Sequence, residues 1–137
     1  MITPEFGTFT DKRDGRTYKT VKIGDQVWLA ENLAYMPSID AGGKEGGIWV
    51  YGYYGKKSLL GVTTDTDDAK ASLYYKRFGC LYDFDTAFTI SPSGWHLPSH
   101  DEWAILEMNL GMDADIAESY DGFRGSDEGK KLKSADM

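Results

Sequence analysis

Along residues 8–33, "TFTDKRDGRTYKTVKIGDQVWLAENL", polar and apolar positions alternate with a period of two, the signature of strands with one covered face. Two turn signals interrupt the alternation. Asp14-Gly15 suits a primed turn needing positive φ, and Gly24-Asp25 suits a II′ turn with glycine first. Three short antiparallel strands follow. In the middle one Val21 and Ile23 fall on one face and Tyr18, Thr20 and Lys22 on the other, while Val27 and Leu29 continue an apolar face with Trp28 opposite.

Residues 36–64 are rich in glycine, and "GIWVYGYYGKK" predicts an irregular strand flanked by long loops. The period then lengthens. "TTDTDDAKASLYY" predicts a short helix over about 67–75, with Thr66 as N-cap and Asp67 and Asp68 in the first turn. In "CLYDFDTAF", Leu81, Phe84 and Phe88 form an apolar stripe on a helix expected to pack on the sheet, with Asp83 and Asp85 on its other side.

The clearest helix start lies in residues 93–107, "SGWHLPSHDEWAILE", where Ser99 and Glu102 have the spacing of a capping box. Pro98 keeps Leu97 extended, and Asp101 places negative charge in the first turn. The helix is predicted over 100–110, ending near Gly111, with Trp103, Leu106 and Leu110 on one face. Trp95 and Leu97 approach as the end of a strand, and Trp95 and Trp103 are assigned to the core. A further short helical piece is expected within "DADIAESY".

A length of 137 residues suits one ordinary domain, and 41% apolar with 14% aromatic residues supplies a core without disulfides or metal. Residues 1–6, "MITPEF", have the look of a start codon with a cloning pair, or of a disordered lead, and are set aside; 7–137 are taken as a single domain. A net charge of -7 opposes binding to nucleic acid and to anionic membrane surfaces. No run of 18 apolar residues occurs, so no membrane span is expected, and the given chain carries no signal peptide. Cys80 stands alone, without an internal disulfide partner or a zinc-type C-x-x-C pair.

Candidate chemistry is sparse. His96 and His100 straddle a proline and a helix start and do not share a helix face as the ligands of an H-E-x-x-H site would. Asp83/Asp85 and Asp113/Asp115 have the composition of glycosidase carboxylate pairs, but exposed acids are the ordinary case in so acidic a chain. "DTDDAK" and "DADIAESYDG" open like EF-hand loops and fail at the fifth position, where Ala69 and Ala117 offer no side-chain oxygen. No cofactor is expected; calcium at Asp65, Asp67 and Asp68 is the one candidate left open. Trp49, Tyr51, Tyr53 and Tyr54 could form a sugar-stacking platform, and a core strand explains the same residues.

Read together, "DGRTYKTVKIGDQVWLAENLAY", "YYKRFGCLYDFDTA", "SGWHLPSHDEWAILE" and "DEGKKLKS" resemble the Fibrobacter succinogenes major paralogous domain, a family of bacterial surface and secreted modules. "GWHLPSHDEW" also looks like an element of the formylglycine-generating, sulfatase-modifying family. These resemblances imply a C-type lectin-like α+β fold: an N-terminal antiparallel β meander, two main helices and long irregular loops rich in glycine and aromatics. Trp28, Asn32, Trp95, His96, Pro98, Ser99, Glu102 and Trp103 carry the structural signature.

Two departures stand out. Ser91 precedes Pro92 where members of the family often have a cysteine, and family domains continue beyond "GKKLKS". The expectation is therefore a first part of a domain with an uncovered sheet edge, giving either a strand-exchanged homo-oligomer or a marginally stable monomer with exposed apolar surface. The implied function is a non-catalytic extracellular or cell-surface module that binds a polysaccharide or a surface protein. The alternatives are an enzyme of the sulfatase-modifying type, for which a lone Cys80 cannot form the copper-holding thiol pair, and a purely structural domain.

Overall fold

In the computed structural model the turn chemistry does much of what the sequence predicts at the amino end. The structure describes residues 3–42, 47–120 and 122–133. Strands β1 (Glu5–Thr10), β2 (Thr17–Ile23) and β3 (Gln26–Leu29) form a sheet in the order β1-β2-β3, the expected meander. Gly24 lies at φ 61° and Asp25 is not at positive φ, the pattern of a turn with glycine first.

The first turn differs. Gly15 is at φ 75° but Asp14 is not at positive φ, so no I′ turn forms. A longer loop replaces it, in which the Gly15 N–H donates to Asp11 O and the Asp11 N–H to Arg16 O, each at 2.8 Å. The Asp11 carboxylate organises this loop by accepting from the Arg13 backbone and guanidinium, an alternative that a short polar side chain offers to a tight hairpin. Glu5 and Phe6, set aside in the sequence reading, belong to β1; Met1 and Ile2 lie outside the described residues.

The faces of β2 also need correcting. Tyr18 and Thr20 are buried, and Ile23 on the opposite face is buried too, whereas Val27 in β3 is half exposed. Tyr18 overrides the simple alternation because its hydroxyl has an internal partner, accepting from the Ala34 N–H at 3.0 Å.

Contacts within the chain gather into two compact units. The larger holds residues 8–20 and 29–97 and has a core built around Tyr18, Ala34, Ile48, Ala69, Tyr75 and Cys80. The expected irregular strand shortens to β4 (Ile48–Trp49), because Gly47 at φ 122° and Gly52 at φ 75° bend the chain on either side. Its antiparallel partner, after the hairpin of β5 (Lys56–Ser58) and β6 (Gly61–Thr63), is β7 (Leu81–Tyr82).

The helix predicted over 67–75 is two helices, α1 (Thr66–Ala71) and α2 (Leu73–Phe78). Ser72, extended at ψ 147°, donates its N–H to Ala69 O and accepts the Tyr75 N–H on Oγ, closing one helix and capping the next. Asp65, not Thr66, caps α1. Asp83 caps α3 (Phe84–Thr89), and the predicted stripe faces outward: Leu81 is 55%, Phe84 73% and Phe88 68% exposed. A six-residue helix held by its cap and a Phe84–Phe88 ring contact of 6.3 Å does not bury that face.

The second unit holds residues 1–7, 21–28 and 98–137. Here α4 (His100–Asn109) starts at the predicted capping box, with Ser99 Oγ accepting from Glu102 N and Glu102 Oε2 accepting from Ser99 N, and Gly111 follows its end at φ 111°. The expected helical piece is α5 (Ala114–Ala117). A helix that periodicity did not announce, α6 (Glu128–Leu132), begins where the Glu128 carboxylate accepts the N–H groups of Ser126 and Asp127. Leu106 is buried as predicted, but Trp103 remains 43% exposed and meets Trp28 at 4.8 Å with the rings tilted by 48°. Trp95, in the larger unit, packs at 5.1 Å on Phe9, so the two tryptophans do not make one core.

Candidate functional site

Within the larger unit, the turn after β4 and the helix α2 place three aromatic rings side by side. The Tyr53 N–H donates to Val50 O at 3.0 Å, closing a turn that leaves Tyr51 61% exposed. Tyr74 and Phe78 are four apart on α2, which brings them onto one helix face. Tyr51 meets Tyr74 edge to face at 5.0 Å and 87°, and Tyr74 lies nearly parallel to Phe78 at 6.2 Å and 16°. Tyr74 and Phe78 are also exposed, so the strip faces solvent.

Several local devices fix this strip. A Cβ at Gly52 would come within 2.9 Å of Tyr74 Cδ2, so the absence of a side chain there lets the tyrosine ring lie against the turn. Beneath the strip, Tyr75 is buried with its hydroxyl donating to Ala34 O at 2.9 Å. At the end of α2, Asn32 Nδ2 donates to Phe78 O at 2.9 Å, satisfying one of the free carbonyls. Arg77, in the same last turn, holds its guanidinium 5.3 Å from the Phe78 ring centroid.

Of the predicted platform, Tyr51 alone joins this strip. Tyr54 is exposed, but its ring lies beside Gly42, where a Cβ would come within 2.7 Å. Tyr53 is structural, its hydroxyl donating to Asp65 O at 3.2 Å and accepting from Asp65 N at 2.9 Å. Trp49 is half buried, with Nε1 sealed from solvent and without an acceptor among the described residues.

The calcium candidates do not converge. Asp65 accepts from Asp68 N at 2.8 Å as a helix cap, Asp68 pairs with Lys56 at 3.3 Å, and Asp67 is exposed. Among the described residues no group of three or more His, Cys, Asp or Glu side chains is gathered for a metal. Cys80 is buried, and burial pushes its thiol up while the Tyr82 hydroxyl partly offsets this, the reverse of what a nucleophilic thiolate needs. His96 is exposed, and His100 stacks on Tyr120 at 4.1 Å.

A family model described as the Fibrobacter succinogenes major domain matches residues 21–137. The chain belongs to this family. No curated protein and no solved structure matches it. The segments that carried the resemblance have distinct structural roles in this Fibrobacter succinogenes major domain. "TVKIGDQVWL" makes the β2–β3 hairpin, "YYKRFGCLYDFDTA" runs from α2 into α3, "SGWHLPSHDEWAILE" leads into the capped α4, and "DEGKKL" forms α6. Pro98 lies just ahead of the Ser99 cap, and Asn32 holds the end of the helix that bears the strip.

Sequence reasoning missed Tyr74, Phe78 and Arg77. The signal was present in "SLYYKRF", where two aromatics stand four apart beside a cation. Periodicity reports only that two side chains share a helix face; it does not report whether that face is covered.

Proposed function

We propose that this domain is a non-catalytic, secreted or cell-surface module that binds a polysaccharide through the strip Tyr51–Tyr74–Phe78. The observation that carries the reading is the exposed edge-to-face and parallel ring series itself. Aromatic faces pack against the apolar C–H faces of sugar rings, and a strip already fixed by its neighbours loses little side-chain entropy on binding. The N-terminal meander, capped helices and long connecting loops are compatible with a C-type lectin-like arrangement, which belongs to the same proposal. A buried Cys80 with a raised thiol pKa supports binding over catalysis.

Calorimetric titration of the full chain with a panel of soluble polysaccharides tests this. Saturable heat is expected with at least one glycan, and Tyr51→Ala should weaken it about tenfold or more, in line with the 1 to 3 kcal/mol typical of ring stacking on planar ligands. Absence of binding across neutral and acidic glycans would remove the reading.

A further inference from the structure

We infer that the strip selects soluble acidic polysaccharide chains, with the Arg77 guanidinium as the contact for a uronate carboxylate. This rests on the glycan-binding reading above and adds the class of ligand. The charge is the first observation. In a chain of net charge -7, the last turn of α2 carries Lys76 and Arg77, the latter beside the Phe78 ring, and among the described residues neither forms an ion pair. A helix C-terminus favours cations through its dipole, which accounts for a positive charge at this end. Arg77 directly precedes Phe78, which places its guanidinium 5.3 Å from that exposed ring, and in a chain with 22 acids no acid among the described residues pairs with it. The ring contact fixes the cation beside the stacking surface, and the planar fork of arginine matches a carboxylate.

The second observation is shape. The strip runs nearly parallel from Tyr74 to Phe78 and turns through 87° at Tyr51. A crystalline glycan presents a flat face and calls for coplanar rings. A corner suits a single chain free to twist, one residue against each arm. The net negative charge of the domain repels a polyanion at long range, but screening confines that to about 8 Å at physiological ionic strength, so the local contact decides.

Titrations of the intact chain with polygalacturonate and with a neutral soluble glucan and mannan separate the outcomes. Polygalacturonate is expected to bind about tenfold more tightly than the neutral chains, a difference of the size one charge-assisted pair supplies. Arg77→Gln should bring the acidic glycan within about twofold of the neutral ones, Arg77→Lys should retain part of the preference, and Tyr51→Ala should weaken every glycan that binds. Thermal midpoints of the Arg77 variants should match the parent, since the side chain is exposed. Equal binding of acidic and neutral glycans, or an acidic preference that survives Arg77→Gln, overturns this inference and leaves the glycan-binding reading standing. Failure of every glycan to bind overturns both.

Discussion

The guanidinium of Arg13 donates from Nη1 to the carbonyl of Ile90 at 2.7 Å, tying the loop after β1 to the residue that closes α3, 77 positions further along the chain. The same group donates to both carboxylate oxygens of Asp11, with Nη2 to Oδ2 at 2.6 Å and Nε to Oδ1 at 2.9 Å, and lies 3.8 Å from the Tyr35 ring centroid. Asp11 is 1% exposed, so Arg13 is both its charge partner and its link to a distant segment.

Breaking that pair should be costly. Asp11→Asn is expected to lower stability by about 2 to 3 kcal/mol in denaturant unfolding, the range for bonds to charged groups. The Arg13 bond holds the Asp11 carboxyl below its ordinary value of 3.8. A folded-state pKa below the unfolded one contributes stability that is fully present above the unfolded value and lost as pH falls through the folded value. The parent should therefore lose stability more steeply below pH 3.8 than Asp11→Asn does, and parallel acid limbs would refute this.

Ser99→Ala removes the hydroxyl that accepts the Glu102 N–H, while the backbone N–H at position 99 still donates to the Glu102 carboxylate, so half of the box is lost. A loss of about 1 kcal/mol is expected, with glycan affinity unchanged. Thermal unfolding and titration on the same sample check both halves of the statement.

Gly52→Ala should act on binding and stability together. The new Cβ would meet the Tyr74 ring at 2.9 Å and would stand on a backbone at φ 75°. The conformational cost is on the order of 1 to 2 kcal/mol, and displacement of the ring should weaken glycan binding beyond what Ser72→Ala, which loosens α2 through its cap, produces.

Burial pushes the Tyr18 hydroxyl up to about 12 and raises the Cys80 thiol. A raised folded-state pKa contributes stability that is complete below the unfolded value and lost as pH rises through the folded one. Stability should decline above pH 9 as the Cys80 thiol and then the Tyr18 phenol favour the ionised, unfolded chain. A thiol reagent at neutral pH should label Cys80 only under denaturing conditions; rapid labelling of the native chain would contradict the buried placement.

Local chemistry determined part of this protein before any packing was considered. The II′-type turn at Gly24, the Ser99–Glu102 box and the end of α4 near Gly111 each follow from interactions within a few residues, so the sequence contains both partners side by side. The break of the predicted 67–75 helix at Ser72 is local in mechanism as well, but helix and cap compete there at similar energies, and the burial of Tyr75 with its bond to Ala34 O favours the two-helix form.

What only tertiary structure decided is which faces are covered. Leu81, Phe84 and Phe88 have the spacing of a core stripe and face outward, whereas Tyr18, the largest of the fully buried side chains, falls by alternation on the face opposite Val21 and Ile23, among polar residues. The same limit hid the candidate site. Tyr74 and Phe78 share a helix face by arithmetic, but their meeting with Tyr51 depends on a bare glycine 22 positions before Tyr74, and Arg13 finds its carbonyl 77 positions away. Amphipathic periodicity records a direction along one element; burial depends on what other elements bring to that direction, and that information is distributed over the whole chain.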